Sequence, residues 1–254
     1  MLRFFRKLRK KLLKEKKISH YFFYALGEIV LIVIGILIAL AINNWNIRKQ
    51  QRLKEAFYLE GLQTEFEVSK NKLVKLMEVN RLNFENSKKI AGFLNAEILP
   101  QEQELSLLIY ESLSNEISYN PNNSLLDELL NTGGLTVISQ PELRKNLTAW
   151  ESFVQSIKTQ EQSLSEQRER VVDILRKEGS IRTGLDEAGV TEALGLPKGV
   201  NNKSNLSLLQ SEEFENELLL YILNGVITEQ NHYNPLLAEI EIILGLLNQQ
   251  IEQR

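Results

Sequence analysis

Glu28 is the only charged residue in an otherwise apolar run, residues 21–42. A carboxyl so placed has two possible uses. It can carry protons, as in ion-driven motors whose single-span subunits also open with a basic cytoplasmic segment. It can instead reach the nearby headgroups or hydrogen-bond a neighbouring helix. An acidic group at the centre of a membrane helix costs at least ~2.5 kcal/mol, and less nearer the edge. Glu28 lies only about 10 Å along the helix from Tyr21, so its shallow depth favours the second use. Beside it, Gly27, Gly35 and Ala39 are expected near one helix face, and Gly35-x-x-x-Ala39 is a spacing of small residues that lets helices approach closely. Self-association through the span is the expectation.

The remaining candidates are thinner. The two histidines, His20 and His232, have no ligand-type neighbour at metal spacing, and the chain has no cysteine. Glu212, Glu213, Glu215 and Glu217 lie round a helix and read as a solvated face. No phosphate-binding glycine loop, His-Glu-x-x-His pair or nucleophile elbow is present. No catalytic residue, cofactor or metal is expected, and the chain reads as a non-enzyme.

The elements that position these residues begin with a charge asymmetry. Residues 1–17 hold nine basic side chains against one acidic, a net +8, while the rest of the 254-residue chain carries 21 basic and 32 acidic. Residues 21–42 are 22 in number and span about 33 Å as a helix, matching a hydrocarbon core of roughly 30 Å. Tyr21 and Tyr24 flank one end and Trp45 the other, where aromatic rings prefer the headgroup level. The basic block before the span places the N-terminus in the cytoplasm and everything after Trp45 outside it. Leu2, Phe5, Leu8 and Leu12 recur at helical spacing among Arg3, Arg6, Lys7, Arg9, Lys10 and Lys11, which makes the arm an interfacial helix on anionic lipid. No nucleic-acid motif accompanies this charge. Ala39-Leu40-Ala41 resembles a signal-peptidase site, but the apolar run exceeds the ~7–15 residues of a leader, so an uncleaved anchor is expected.

Residues 27–40, GEIVLIVIGILIAL, followed by Ile42-Asn43-Asn44-Trp45-Asn46, resemble a family of uncharacterised single-span inner-membrane proteins of Gram-negative bacteria. Phe4-Phe5-Arg6-Lys7-Leu8-Arg9 is similar to that family's opening. The block Leu129-Leu130-Asn131-Thr132-Gly133-Gly134-Leu135 with Glu142-Leu143-Arg144, and Glu213-Phe214-Glu215-Asn216, resemble two later blocks. The resemblance implies an inner-membrane protein with a periplasmic domain. It implies no activity.

After the membrane, the pattern is helical throughout. Leu59, Leu62, Phe66, Leu73 and Leu76 recur at steps of three and four, and only Gly61 interrupts residues 43–91, at about 1 kcal/mol relative to Ala. Helices are expected over residues 102–116 and Ser124–Asn131, then from Ser139-Gln140-Pro141-Glu142 with Ser139 as cap. That last helix buries Leu143, Leu147, Trp150, Val154 and Ile157, and its series is broken by Glu161 and Arg168. Residues 179–205 read as a long surface loop or a partly ordered excursion, residues 206–229 as a helix, and Asn234-Pro235 as the start of a final helix with Leu237, Ile240, Leu244, Leu247 and Ile251 as its stripe.

The expected fold is all-α: a basic cytoplasmic arm (1–17), one transmembrane helix (21–42) and an extended extracytoplasmic helical bundle (48–254). Two functions suit it. The first is a bitopic protein whose outer domain binds a partner protein or ligand. The second is a subunit of an ion-coupled or pore-forming assembly that works through Glu28, and it requires Glu28→Gln to abolish activity.

Overall fold

The computed structural model describes residues 18–94 and 96–253. No strand occurs among them, and the chain divides into two compact units, Met1–Ala56 and Phe57–Arg254. Helix α1, Ile18–Leu94, contributes to both. In the first unit residues 26–54 are exposed without exception.

The second unit adds α2 (Glu102–Leu113), α3 (Ser124–Asn131), α4 (Pro141–Glu178), α5 (Ile181–Glu187), α6 (Val190–Ala193), α7 (Glu212–Ile227) and α8 (Asn234–Glu252), with 3-10 turns at Gly134–Val137 and Leu206–Gln210. Side-chain pairs set the directions. Gln63 bonds Asn248 (2.6 Å), Lys70 bonds Glu241 (2.8 Å) and Arg81 bonds Glu229, so α1 runs antiparallel to α7–α8. Gln160 bonds Asn224 (2.8 Å) and Gln167 bonds Glu217 (2.6 Å), so α4 is antiparallel to α7 as well. Helices α1 and α4 are therefore parallel, which requires the long crossover, residues 95–140, that carries α2 and α3. Exposed pairs of this kind stabilise little; they report register.

The core of the second unit is a seam on each long helix. Leu59, Leu62, Phe66 and Leu73 of α1 and Leu143, Leu147, Trp150, Val154 and Ile157 of α4 are buried as their spacing predicts, whereas Leu76 is half-buried beside buried Met77. The ring of Trp150 stands edge-on to Phe66, with centroids 4.9 Å apart. Its Nε1 donates to Asn123 Oδ1 (3.0 Å), which removes Asn123 as a side-chain cap for α3. Glu65 of α1 takes over that role by accepting from the backbone N–H of Leu125 (2.8 Å) and Leu126 (3.4 Å).

Three expectations need correction. At α4 the cap position is held by Gln140, whose side chain makes no capping bond, although Pro141 opens the helix as expected. Residues 179–205, expected as a surface loop or a partly ordered excursion, contain two short helices, α5 and α6. The last helix does not start afresh at Asn234. The backbone continues from α7 through a π-helical turn, Thr228–Tyr233, into α8. Pro235 has no N–H and its ring crowds the carbonyl four residues earlier; the wider π turn relieves that crowding. Continuity also moves the buried stripe, which is Tyr233, Leu236, Ile240, Ile243 and Leu247 at steps of three and four. Leu237, Leu244 and Ile251 are only half-buried.

Glycine marks two close approaches. Gly61, a propensity cost on sequence grounds, faces the Leu125 side chain of α3. At Gly225 of α7 a Cβ would lie 3.1 Å from Phe84 Cβ and 3.3 Å from its Cδ1, while Gly225 O accepts from Asn80 Nδ2 (2.9 Å). A Phe Cβ cannot swing aside without moving α1. Gly225→Val is expected to destabilise the second unit by about 1–3 kcal/mol despite removing a helical glycine. Thermal unfolding checks this, and an unchanged midpoint would mean the helices part freely there.

Candidate functional site

On α1, Gly27, Glu28, Gly35 and Ala39 are all exposed, and a Cβ added at Gly27 or Gly35 would meet nothing within 4 Å. At about 100° per residue, Glu28 and Gly35 lie about 20° apart and Gly35 and Ala39 about 40° apart. Gly27 lies about 80° from Gly35 by the same count, so of the three small residues Gly35 and Ala39 are the nearer pair around the helix. An 18-residue window of this helix has mean hydropathy 2.9 and no buried residue; among the described residues it is the one helix long and apolar enough to cross a membrane. The basic arm, including Arg3, Arg6, Lys7, Arg9, Lys10 and Lys11, lies outside the described residues.

The two charges that interrupt the α4 seam are both taken into the second unit. Glu161 is 5% exposed. Its carboxylate accepts from the backbone N–H of Tyr119 (2.9 and 3.0 Å) and from Tyr233 Oη (2.6 Å). Burial pushes its pKa up; the bonds from Tyr233 and Tyr119 and the nearby Lys158 oppose this without cancelling it. The α1 seam turns polar over Asn80, Asn83 and Ser87, all buried, and Ser69 is buried about three turns earlier. Arg168 donates from Nη1 to Leu113 O (2.6 Å), at the carbonyl end of α2, and from Nη2 to Glu169 (2.9 Å), while its Nε is buried without an acceptor. Tyr221 hydrogen-bonds Ser112 O (3.1 Å), and burial raises its hydroxyl to about 12. Glu161, buried, and Arg168, half-buried, thus hold the crossover to α4.

Above this layer, α2, α4 and α5 enclose a cleft of about 330 Å³, within the usual range for small-molecule sites. Its walls are mainly Ile109, Leu113, Val172, Leu175, Ile181 and Leu185; Arg168, Glu169 and Arg176 stand among them. The end near α5 is fixed by polar contacts. Asn205 donates from Nδ2 to Ser106 Oγ (2.9 Å) and accepts the Ser180 N–H at Oδ1 (2.7 Å), and Glu102 accepts the Asn205 N–H (3.0 Å). Asp186 accepts from Thr191 Oγ1 (2.5 Å), Gly199 N (2.9 Å) and Asn202 Nδ2 (2.7 Å), which draws residues 191–202 back over α5. The Thr191 bond, then that from Gly199, hold its carboxyl well below the ordinary aspartate value. These contacts explain why a glycine-bearing stretch is ordered. A pattern of apolar spacing does not register them, since each is a polar pair between distant segments.

The four glutamates of α7 are not gathered: Glu212 and Glu213 are exposed, Glu215 is half-buried and Glu217 accepts from Gln167. His232 lies in the π turn, and no group of three or more His, Asp or Glu suited to a metal occurs among the described residues.

The architecture defines an all-helical protein with one N-terminal helix of membrane-spanning length and apolarity and a separately packed helical unit. Residues 28–158 match the model of a family of unknown function, DUF6090, and the chain belongs to that family. The match takes in most of the apolar block and the block around Gly133; the likeness expected at residues 213–216 and in the N-terminal arm lies outside it. No curated protein and no solved structure matches the chain.

Proposed function

We propose that this chain is a non-enzymatic bitopic inner-membrane protein whose helical unit lies in the periplasm and binds a partner protein or ligand. Arg3, Arg6, Lys7, Arg9, Lys10 and Lys11 contact anionic lipid on the cytoplasmic side, and copies associate through the spans as a homo-oligomer. The observation that carries this reading is the complete exposure of an apolar helix whose 18-residue window has mean hydropathy 2.9. In water such a surface is far larger than the few hundred Å² of contiguous apolar patch that soluble monomers leave open. A bilayer removes that cost, and the preceding positive charge sets the orientation. The unbroken run of α1 through Ala39-Leu40-Ala41 supports an anchor over a leader.

Two reporters fused after Arg254 test this. One that works only in the cytoplasm should be silent and one that works only in the periplasm should be active, with residues 1–41 retained in the intact mass. Cytoplasmic activity, or an N-terminus at Ile42, overturns the reading.

A further inference from the structure

We propose that Trp45, Arg48, Lys49 and Arg52 of α1 form a binding face for the headgroup of an anionic phospholipid, in the leaflet opposite the one met by the basic arm. This goes beyond the binding-module reading and rests on the single-span reading of residues 21–42. Charge argues first. No Asp or Glu occurs between Glu28 and Glu55. Arg48, Lys49 and Arg52 are exposed, and none of them makes an ion pair with another described residue. A zwitterionic headgroup brings an ammonium with each phosphate and leaves these charges unbalanced, whereas an anionic headgroup neutralises them.

Geometry argues next. Helix side chains lean toward the helix N-terminus, and for these residues the apolar run lies on that side. Arg48 donates from Nε to Asn44 O (3.3 Å), and Lys49 Nζ stands 5.5 Å from the centroid of the Trp45 ring. Both cations thus fold back by one turn toward the span, and the ring of Trp45 prefers the headgroup level. Only Nε of Arg48 is engaged, so its two Nη groups are open to grip phosphate oxygens. At about 100° per residue the four side chains fall within an arc of about 100°, and one headgroup layer meets them together. By the same count Arg48 and Arg52 lie about 140° and 100° from Gly35, so association through Gly35 and Ala39 leaves them turned to lipid.

The test uses the full chain in phosphatidylcholine nanodiscs holding a small fraction of a phosphatidylglycerol whose headgroup carries a diazirine. Cleavage after glutamate releases residues 29–55 as one peptide, separate from the arm, and mass spectrometry maps the adducts. Adducts are expected on residues 43–54, reduced at least tenfold by excess phosphatidylglycerol and unaffected by excess inorganic phosphate. A phosphatidylcholine carrying the same diazirine on its choline should label them at least tenfold less. Each basic side chain near an anionic surface strengthens binding about fivefold. Arg48→Gln combined with Arg52→Gln should therefore lower labelling of residues 43–54 at least tenfold while labelling of residues 1–17 persists. Both positions are exposed and glutamine is a good helix former, so the double variant keeps the parent's unfolding temperature. Equal labelling by the two headgroups, or a double variant labelled like the parent, overturns the proposal. A chain held in the nanodisc with no adduct on residues 43–54 overturns this inference alone. A chain that stays in the aqueous fraction overturns the single-span reading with it.

Discussion

Glu161→Ala is expected to destabilise the second unit by about 2–4 kcal/mol, whereas Glu161→Gln should change it by no more than about 1 kcal/mol at neutral pH. Alanine leaves the Tyr119 N–H and the Tyr233 hydroxyl buried without an acceptor and opens a gap beside them. Glutamine keeps one carbonyl oxygen for both donors and dispenses with a buried charge. The two variants also separate in pH dependence. Burial raises Glu161 above its ordinary 4.5, so as pH climbs past 4.5 the unfolded chain loses this proton while the folded chain retains it. The folded state then binds more protons, and stability falls with rising pH until the folded group ionises too. Lys158, Tyr119 and Tyr233 face the same carboxyl; both tyrosines are pushed above their ordinary 10.0 by burial and stay protonated through this window. Glu102 and Asp186 are shifted downward and give the opposite slope at lower pH, in parent and variant alike. The difference between parent and Glu161→Gln in denaturant titrations at stepped pH therefore isolates Glu161. Equal slopes, or an alanine variant as stable as the parent, would show that the carboxyl is solvated after all.

Apolar period found the long helices because burial of a seam is a repeating demand on sequence. Leu59, Leu62, Phe66, Leu143, Leu147 and Trp150 are readable for that reason, and Ser124–Asn131 matches its helix to the residue because Pro121 and Gly133 bracket it. The same criterion treated Glu161 and Arg168 as breaks. Their partners are a backbone N–H, a tyrosine 72 residues away and a helix-end carbonyl 55 residues away, none of which leaves a periodic trace. The phase of the last helix failed on a similar ground. Pro235 signals a helix start in sequence, yet a π turn lets the helix pass through it, and the seam is then counted from Tyr233. Of the cleft, nothing was legible beyond apolar residues on α4. Its shape depends on α5 and on Asp186, in a stretch whose glycines pointed to a loop.

Gly35→Ile is expected to convert the proposed homo-oligomer to monomer without harming the fold. Within one chain the substitution is free of clashes, because a Cβ at Gly35 meets nothing within 4 Å and the neighbouring positions of α1 are exposed. It also leaves the span at least as hydrophobic, so insertion is retained. Any change must then come from contact between chains. In lipid, association draws on dispersion across closely approaching backbones and on interhelical hydrogen bonds, since the surrounding tails are as apolar as the helix. Gly35 and Ala39 provide the close approach. Glu28, about 20° from Gly35 on the same face, provides a polar group that a partner helix can satisfy. An isoleucine side chain at the centre of that face holds the backbones apart and removes both contributions together. Glu28→Gln, which keeps hydrogen-bonding capacity, should leave the oligomer in place, and that separates packing from charge. The apolar stripe of α8 offers no competing interface, because Leu236, Ile240, Ile243 and Leu247 are already buried within the second unit. Mass measurement in detergent and in nanodiscs decides the matter. If Gly35→Ile keeps the parent's oligomer mass, or if the parent is itself monomeric, the spans do not pack on this face.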